Sequence, residues 1–122
     1  MSEQPLDTLV DTYIAAWNAT AAAERAALVA RTWTPQASYV DPVMAGDGHD
    51  GIDAMIAGCQ ARFPGFRFSR RGKLDVHGDN IRFSWDLAPE GGDPVAGGTD
   101  FAVIEDGRMK AVTGFLDFAP GQ

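Results

Sequence analysis

The sequence is poor in the residues that build disulfides, metal sites and membrane spans. It has one cysteine and two histidines among 122 residues. Cys59 cannot form an internal disulfide, which agrees with a reducing compartment, and two distant histidines give no metal-binding signature. No stretch approaches the roughly 18 continuous apolar residues that a membrane span needs, and the first residues form no basic signal region. We therefore expect a cytoplasmic protein with no metal site and no membrane-spanning segment.

Basic residues are also scarce. Ten Lys and Arg stand against 17 Asp and Glu, which leaves a net charge of −7. A protein that binds a phosphate backbone needs clustered Lys and Arg, so nucleic acid is not an expected partner. With 45% apolar residues, the composition predicts one globular domain over residues 1–122, with room for one core and one pocket.

The first part of the chain has apolar residues at helical spacing. A stripe at intervals of three and four residues predicts a first helix from Leu6 to Trp17, with Tyr13 in its middle. A second, alanine-rich helix is expected over about residues 21–31, and Thr20 is placed to cap it.

A short strand and a third helix follow. The strand covers residues 37–40 and leads to Asp41, and by alternation Tyr39 and Asp41 share one face. After a glycine-rich loop at residues 45–49, Asp50 can cap the third helix.

The second half of the chain changes to the period of strands. Turn signals rich in Gly, Asp and Asn separate four consecutive strands, near residues 66–77, 80–88, 95–105 and 108–118. Gly97-Gly98 inside the third of these predicts a bulge, and therefore a strongly curved sheet. Helices followed by a meander indicate an α+β domain with the helices on one face of the sheet.

Three residues combine reactive chemistry with a restricting context. Asp41 precedes Pro42, which fixes the direction of its carboxylate; this suits a catalytic base and equally an ordinary turn. Asp100 shares one side of its strand with small and apolar residues, where burial favours the neutral acid, unless a bulge at Gly98 turns it to water. Tyr13 is either a hydrogen-bond donor in a pocket or a core tyrosine.

Four segments have an order and context that are typical of one superfamily: Tyr13-Ile14, Tyr39-Val40-Asp41-Pro42-Val43, Gly48-His49 with Ile52, and Asp100 to Met109. They resemble the ketosteroid isomerase and SnoaL-like branch of the nuclear transport factor 2-like superfamily. The resemblance implies a cone-shaped α+β fold, in which a curved mixed or antiparallel sheet wraps around three N-terminal helices and encloses a pocket. In the isomerases the Asp-Pro aspartate is the general base, and a tyrosine and a protonated aspartate form the oxyanion hole. By position these are Asp41, Tyr13 and Asp100.

The resemblance implies a small-molecule pocket protein. We expect a cofactor-independent acid–base enzyme, isomerase or polyketide-cyclase-like, that acts on an apolar carbonyl compound. The expected substrate contacts are Trp17, Trp33, Met44, His49, Met55, Phe83, Trp85, Val112 and Leu116. Members of the superfamily commonly pair through the exposed face of the sheet, so a homodimer is expected.

Two alternatives stay open at this stage. The isomerases support their oxyanion tyrosine with further tyrosines, whereas Trp33 and Ile56 stand at those positions here and the chain has only two tyrosines. That difference favours a non-catalytic ligand-binding or dimerisation module of the same fold. An epoxide hydrolase-like enzyme would instead need an arginine beside an aspartate on the apolar side of the sheet.

Overall fold

The computed structural model describes residues 4–120 of the chain, which form three helices and six strands. The helices are α1 (Gln4–Asn18), α2 (Ala22–Thr32) and α3 (Gly48–Arg62). The strands are β1 (Trp33–Val40), β2 (Ala45–Asp47), β3 (Phe66–His77), β4 (Asn80–Pro89), β5 (Ala96–Glu105) and β6 (Arg108–Phe118). No helix within the described range is long and apolar enough to cross a membrane.

All six strands belong to one sheet, in the order β2-β1-β6-β5-β4-β3. The long strands β3 to β6 form an antiparallel meander, while β1 lies parallel to β6, so the sheet is mixed. The register of β5 against β6 shifts between Gly97 and Gly98, where the bulge was predicted. A bulge bends and twists its strand, which curves the sheet around the helices. The predicted α+β class and curved mixed sheet are therefore confirmed.

The core lies between the helices and the concave face of the sheet. Side chains from alternate strand positions and from the apolar helix stripes meet there. Among those that are at most 2% exposed are Val10, Val29, Ile52, Ile56, Ile81, Met109 and Val112. Complete burial of a side chain of this size contributes about 1.5–3 kcal/mol. One apolar face per element is thus enough to fix the position of each helix on the sheet.

Several local predictions were wrong. Thr20 does not cap α2, because Ala21 holds the N-cap position without a side-chain hydrogen bond. Asp50 lies inside the first turn of α3, whose N-cap is Asp47. Residues 45–47, expected in a loop, pair with β1 as the short strand β2.

The first strand is also longer than expected, because it begins at Trp33, directly after α2. Pro35 lies within β1, where the register against β6 is irregular between Trp33 and Ser38. An irregular stretch of ladder accommodates a residue that has no N–H to donate.

Candidate functional site

The helices and the concave sheet face enclose a cavity of about 200 Å³. Its wall is predominantly apolar and is formed by Ile14, Trp17, Val43, Met44, Phe63, Phe68, Trp85, Leu87, Ala96, Leu116, Ala119 and Pro120. The polar side chains of the wall are Tyr13, Tyr39, Asp41, Cys59, Arg62 and Asp100. An apolar cavity of about 150 Å³ holds a benzene ring, so this one accepts a small ring system.

Tyr13 and Asp100 form a hydrogen-bonded pair inside the cavity. The apolar stripe of α1 turns Tyr13 toward the sheet, and strand alternation turns Asp100 toward the helices. The Tyr13 hydroxyl donates to Oδ2 of Asp100 at 2.5 Å, and the indole N–H of Trp85 donates to Oδ1 at 3.2 Å. Asp100 is only 1% exposed, so its carboxyl depends on these two donors.

The position of the Trp85 indole depends on a glycine. Trp85 on β4 pairs with Gly98 on β5. A Cβ atom at residue 98 would lie 2.5 Å from the indole ring, so a larger residue there would displace the ring. The absence of a side chain at Gly98 thus allows the Trp85 N–H to reach Asp100.

Burial controls the protonation of this pair. It raises the pKa of Asp100 from 3.8 to about 6; the bonds from Tyr13 and Trp85 oppose the rise, and the negative charges of Asp41 and Asp117 add to it. Burial and the neighbouring charge of Asp100 raise the pKa of Tyr13 well above its usual value. Tyr13 therefore keeps its proton and acts as a donor, whereas Asp100 takes up a proton in a pH range where most carboxyls are ionised.

A second tyrosine–aspartate pair faces the same cavity. Asp41 closes a turn in which its Oδ1 accepts hydrogen bonds from the backbone N–H of Val43 at 2.8 Å and of Met44 at 2.9 Å. The Tyr39 hydroxyl donates to Oδ2 of Asp41 at 2.6 Å. Burial raises the pKa of Tyr39 far above its usual value, so Tyr39 remains a donor. An ionised carboxylate offers about four lone-pair positions, and the three donors leave one of them on Oδ2 free.

Gly114 brings the two pairs together. It lies on β6 opposite Asp100, and a Cβ atom there would be 2.7 Å from Oδ1 of Asp100. The same atom would be 3.2 Å from Cβ of Asp41 and 3.2 Å from the hydroxyl of Tyr39. Both carboxylates therefore border one small space that a side chain at residue 114 would fill.

Cys59 and Arg62 continue the wall toward the mouth of the cavity. Cys59 is buried, and its burial, together with the charge of Asp41, raises the pKa of its thiol, while the charge of Arg62 opposes this rise. Arg62 is exposed, as are Val43 and Pro120 beside it in the wall. These three exposed residues mark the open end of the cavity.

The structure brings together seven of the twelve residues proposed from the sequence for the site. Tyr13, Asp41 and Asp100 line the cavity, as do four of the expected substrate contacts, namely Trp17, Met44, Trp85 and Leu116. Tyr39, Phe68 and Arg62 also line it and were not predicted as site residues. The alternation of β1 could have identified Tyr39, because it predicts that Tyr39 shares the face of Asp41.

The other five expected contacts lie elsewhere. Trp33 and Phe83 pack against the Tyr13 ring, with centroid distances of 5.2 and 5.0 Å, and are buried in the core behind it. Val112 is also a core residue. The His49 ring makes a 2.8 Å hydrogen bond through Nε2 to the carbonyl oxygen of Trp33. Met55 borders a second, more open groove along α3, which shares Met44, Cys59 and Arg62 with the cavity wall.

No group of three His, Cys, Asp or Glu side chains within residues 4–120 is arranged to hold a metal ion. The polar groups in the cavity wall are two carboxyls, two phenols, an indole N–H, a thiol and a guanidinium.

A sequence comparison assigns the family. The family model described as "SnoaL-like domain" matches residues 10–112, which is most of the chain. The chain belongs to the SnoaL-like family. No curated protein matches it.

Among solved structures, a proposed isomerase of the SnoaL-like family from Agrobacterium tumefaciens is 45% identical to this SnoaL-like chain, with a TM-score of 0.89. The match covers 93% of this chain and 98% of that one. A proposed polyketide cyclase from Sinorhizobium meliloti is 18% identical, with a TM-score of 0.70 over 93% and 99% of the two chains. A proposed ketosteroid isomerase from Kribbella flavida is 21% identical, with a TM-score of 0.69 over 98% and 82%. The two lower identities show the shared fold alone.

Proposed function

We propose that this SnoaL-like protein is a cofactor-independent acid–base enzyme that moves a proton next to the carbonyl group of a small apolar compound. The observation that carries the proposal is the pair of tyrosine–aspartate hydrogen bonds, Tyr13–Asp100 and Tyr39–Asp41, which border one apolar cavity. The similarity to the proposed isomerase of the same family supports an isomerase or cyclase-type reaction. The single free thiol agrees with a reducing compartment such as the cytoplasm.

The roles follow from the different surroundings of the two carboxyls. Asp41 has one free acceptor position on Oδ2 and would take the proton from the carbon next to the carbonyl. Tyr13 and protonated Asp100 would donate hydrogen bonds to the enolate oxygen that forms. A negative enolate oxygen beside Asp100 favours the protonated form of this carboxyl further.

Asp41→Asn tests the base. Asparagine keeps the oxygen that accepts from Val43 and Met44, so the turn and the fold should remain intact. Loss of a general base typically lowers the rate by about 10²–10⁴-fold. The assay is deuterium uptake from heavy water next to the carbonyl of β,γ-unsaturated cyclic ketones and polyketide fragments, followed by NMR.

The matched control is Asp93→Asn, since Asp93 is exposed on the loop before β5 and lies away from the cavity. This variant should catalyse deuterium uptake by the ketone at the rate of the unchanged protein. Equal rates in the Asp41 variant and the unchanged protein would remove Asp41 as the base.

A non-catalytic ligand-binding module is the second candidate. It is favoured by the contacts of Asp41, because the backbone bonds to Oδ1 already give this carboxylate a structural role as the centre of a turn. Binding of a phenol in the cavity, with no proton exchange on any ketone tested, would support this candidate over the enzyme.

Epoxide hydrolysis is not favoured by the geometry. Arg62 is the one arginine in the cavity wall formed by the described residues, and it lies at the exposed mouth. The side-chain donors to Asp100 within residues 4–120 are Tyr13 and Trp85, and neither is a guanidinium.

We also infer a homodimer through the outer face of the sheet. Phe115 and Phe101 are 54% and 44% exposed there and pack edge to face on each other, beside the exposed Val40 and Val103. A second copy would remove this apolar surface from water. Light scattering should give about twice the 13.0 kDa chain mass, and Phe115→Glu should return the mass to that of one chain. A single-chain mass for the unchanged protein would contradict the dimer.

A further inference from the structure

We propose that the ligand carries an anionic group at the end away from its carbonyl, and that Arg62 binds this group at the mouth of the cavity. The inference rests on the proposed function and adds the chemical class of the ligand: an apolar carbonyl compound with a carboxylate or a similar oxyanion group.

Arg62 is placed at the boundary between the cavity and water. It is the last residue of α3 and follows Cys59 by three positions, so both lie on the same side of the helix. Three residues advance the helix by about 4.5 Å, which separates buried Cys59 from exposed Arg62 along one wall. A ligand that fills the inner cavity would therefore pass Arg62 at its outer end.

The Arg62 guanidinium is also uncommitted. Most basic side chains of the described region have protein partners: Arg25, Arg70, Arg71, Arg82 and Lys110 form ion pairs, and Arg108 donates to two backbone carbonyls. The Arg62 side chain makes no hydrogen bond and no ion pair with residues 4–120, although acidic residues outnumber basic ones in the chain. Its five N–H donors remain available to a ligand, and their planar arrangement suits a carboxylate.

The charges of the wall also fix the orientation of such a ligand. Asp100, which is 1% exposed, lies at the buried end of the wall, where an anionic group would meet a negative charge in an apolar enclosure. The neutral carbonyl end therefore enters first, and the anionic end stays near Arg62 in water. This orientation places the carbonyl beside Tyr13 and Asp100, where the proposed reaction needs it.

The test compares two ligands that differ only in the distal charge. One is a naphthol, which mimics the enolate; the other is the same naphthol with a carboxylate on the far ring. Affinities are measured by titration calorimetry near neutral pH for the unchanged protein and for Arg62→Gln, Arg62→Lys and Arg67→Gln. Arg67 is an exposed arginine outside the cavity wall, so its variant changes the net charge by the same amount.

We expect the unchanged protein to prefer the carboxylated naphthol, and Arg62→Gln to lower this preference by about two- to ten-fold, the range from an exposed to a partly desolvated ion pair. Arg62→Lys should retain part of the preference, Arg67→Gln should leave it unchanged, and added salt should weaken it.

An equal affinity for both naphthols, or a preference that Arg62→Gln leaves unchanged, would overturn the inference while the proposed function stands. An equal loss in Arg62→Gln and Arg67→Gln would also overturn it, because net charge alone would then explain the preference. Failure of both naphthols to bind would overturn the proposed function together with the inference.

Discussion

Replacement of Asp100 by asparagine is expected to change how the stability of the protein depends on pH. Asp100 is 1% exposed, and its burial raises its pKa from 3.8 to about 6. Because the pKa is higher in the folded chain than in the unfolded one, the folded state binds this proton more tightly. The stability contributed by the protonated group is complete below pH 3.8 and is lost as the pH rises through about 6.

The size of the effect follows from the two pKa values. One pKa unit corresponds to about 1.4 kcal/mol, so the shift from 3.8 to about 6 amounts to about 3 kcal/mol. The unchanged protein should lose about this much unfolding free energy at Asp100 between acidic and neutral pH. Asparagine does not titrate, so the variant should lack this loss.

The substitution also adds an effect that does not depend on pH. The amide oxygen of asparagine can accept from Tyr13, but its NH₂ group would then face the Trp85 N–H, and two donors cannot bond each other. The lost bond costs about 1 kcal/mol at every pH. It displaces the two stability curves by a constant and leaves the pH dependence of their difference unchanged.

The assay is urea unfolding of both proteins at a series of pH values from below 3.8 to above 6. The difference in unfolding free energy, variant minus unchanged protein, should rise by about 3 kcal/mol across this range, while other carboxyls cancel. A carbon NMR titration of the Asp100 carboxyl should independently give a midpoint of about 6. A flat difference, with a midpoint near the ordinary value for aspartate, would refute the reasoning. Asp93→Asn, which removes one exposed carboxyl from the loop before β5, is measured in the same assay as the control.

The remaining predictions concern glycines. Gly114→Ala should destabilise the fold by about 1–3 kcal/mol and weaken phenol binding, because its Cβ would lie 2.7 Å from Asp100 Oδ1 and 3.2 Å from the Tyr39 hydroxyl. Urea unfolding and titration calorimetry measure these effects. An unchanged unfolding free energy and an unchanged phenol affinity would contradict the prediction. Gly58→Ala on α3 meets nothing within 4 Å and should stabilise the protein by up to about 1 kcal/mol in the same unfolding assay, because alanine favours a helix interior.

The strand pattern predicted the sheet well because one rule, the alternation of side chains between the two faces, decides which strand positions are buried. Ile81, Phe83 and Leu87 are buried on β4, and Asp100 and Ala102 on β5, as strict alternation requires. The long-range contact between Tyr13 and Asp100 could be expected only through the family resemblance, since the two residues are 87 positions apart. No local pattern specifies which helix stripe meets which strand.

The differences between the expected and the observed cavity wall have a common physical origin in tertiary contacts. Trp33, Phe83 and Val112 have the composition expected of a cavity wall, but packing against Tyr13 and within the core places them one layer behind it. His49 is held by a hydrogen bond to the carbonyl oxygen of Trp33. Residue type and alternation define a face, whereas the depth of a side chain within that face depends on its neighbours.

The Tyr13–Asp100 bond has a consequence for the proposed reaction. In the free protein the two expected oxyanion donors bond each other at 2.5 Å, so a ligand oxygen has to replace a short, charge-assisted hydrogen bond. A neutral ketone oxygen is a weaker acceptor than a carboxylate and would replace this bond poorly. An enolate oxygen carries negative charge, accepts strongly from Tyr13 and favours the proton on Asp100, which supplies the second donor. The pair would therefore stabilise the enolate and the transition state that leads to it far more than the bound ketone, and this difference is what accelerates a reaction.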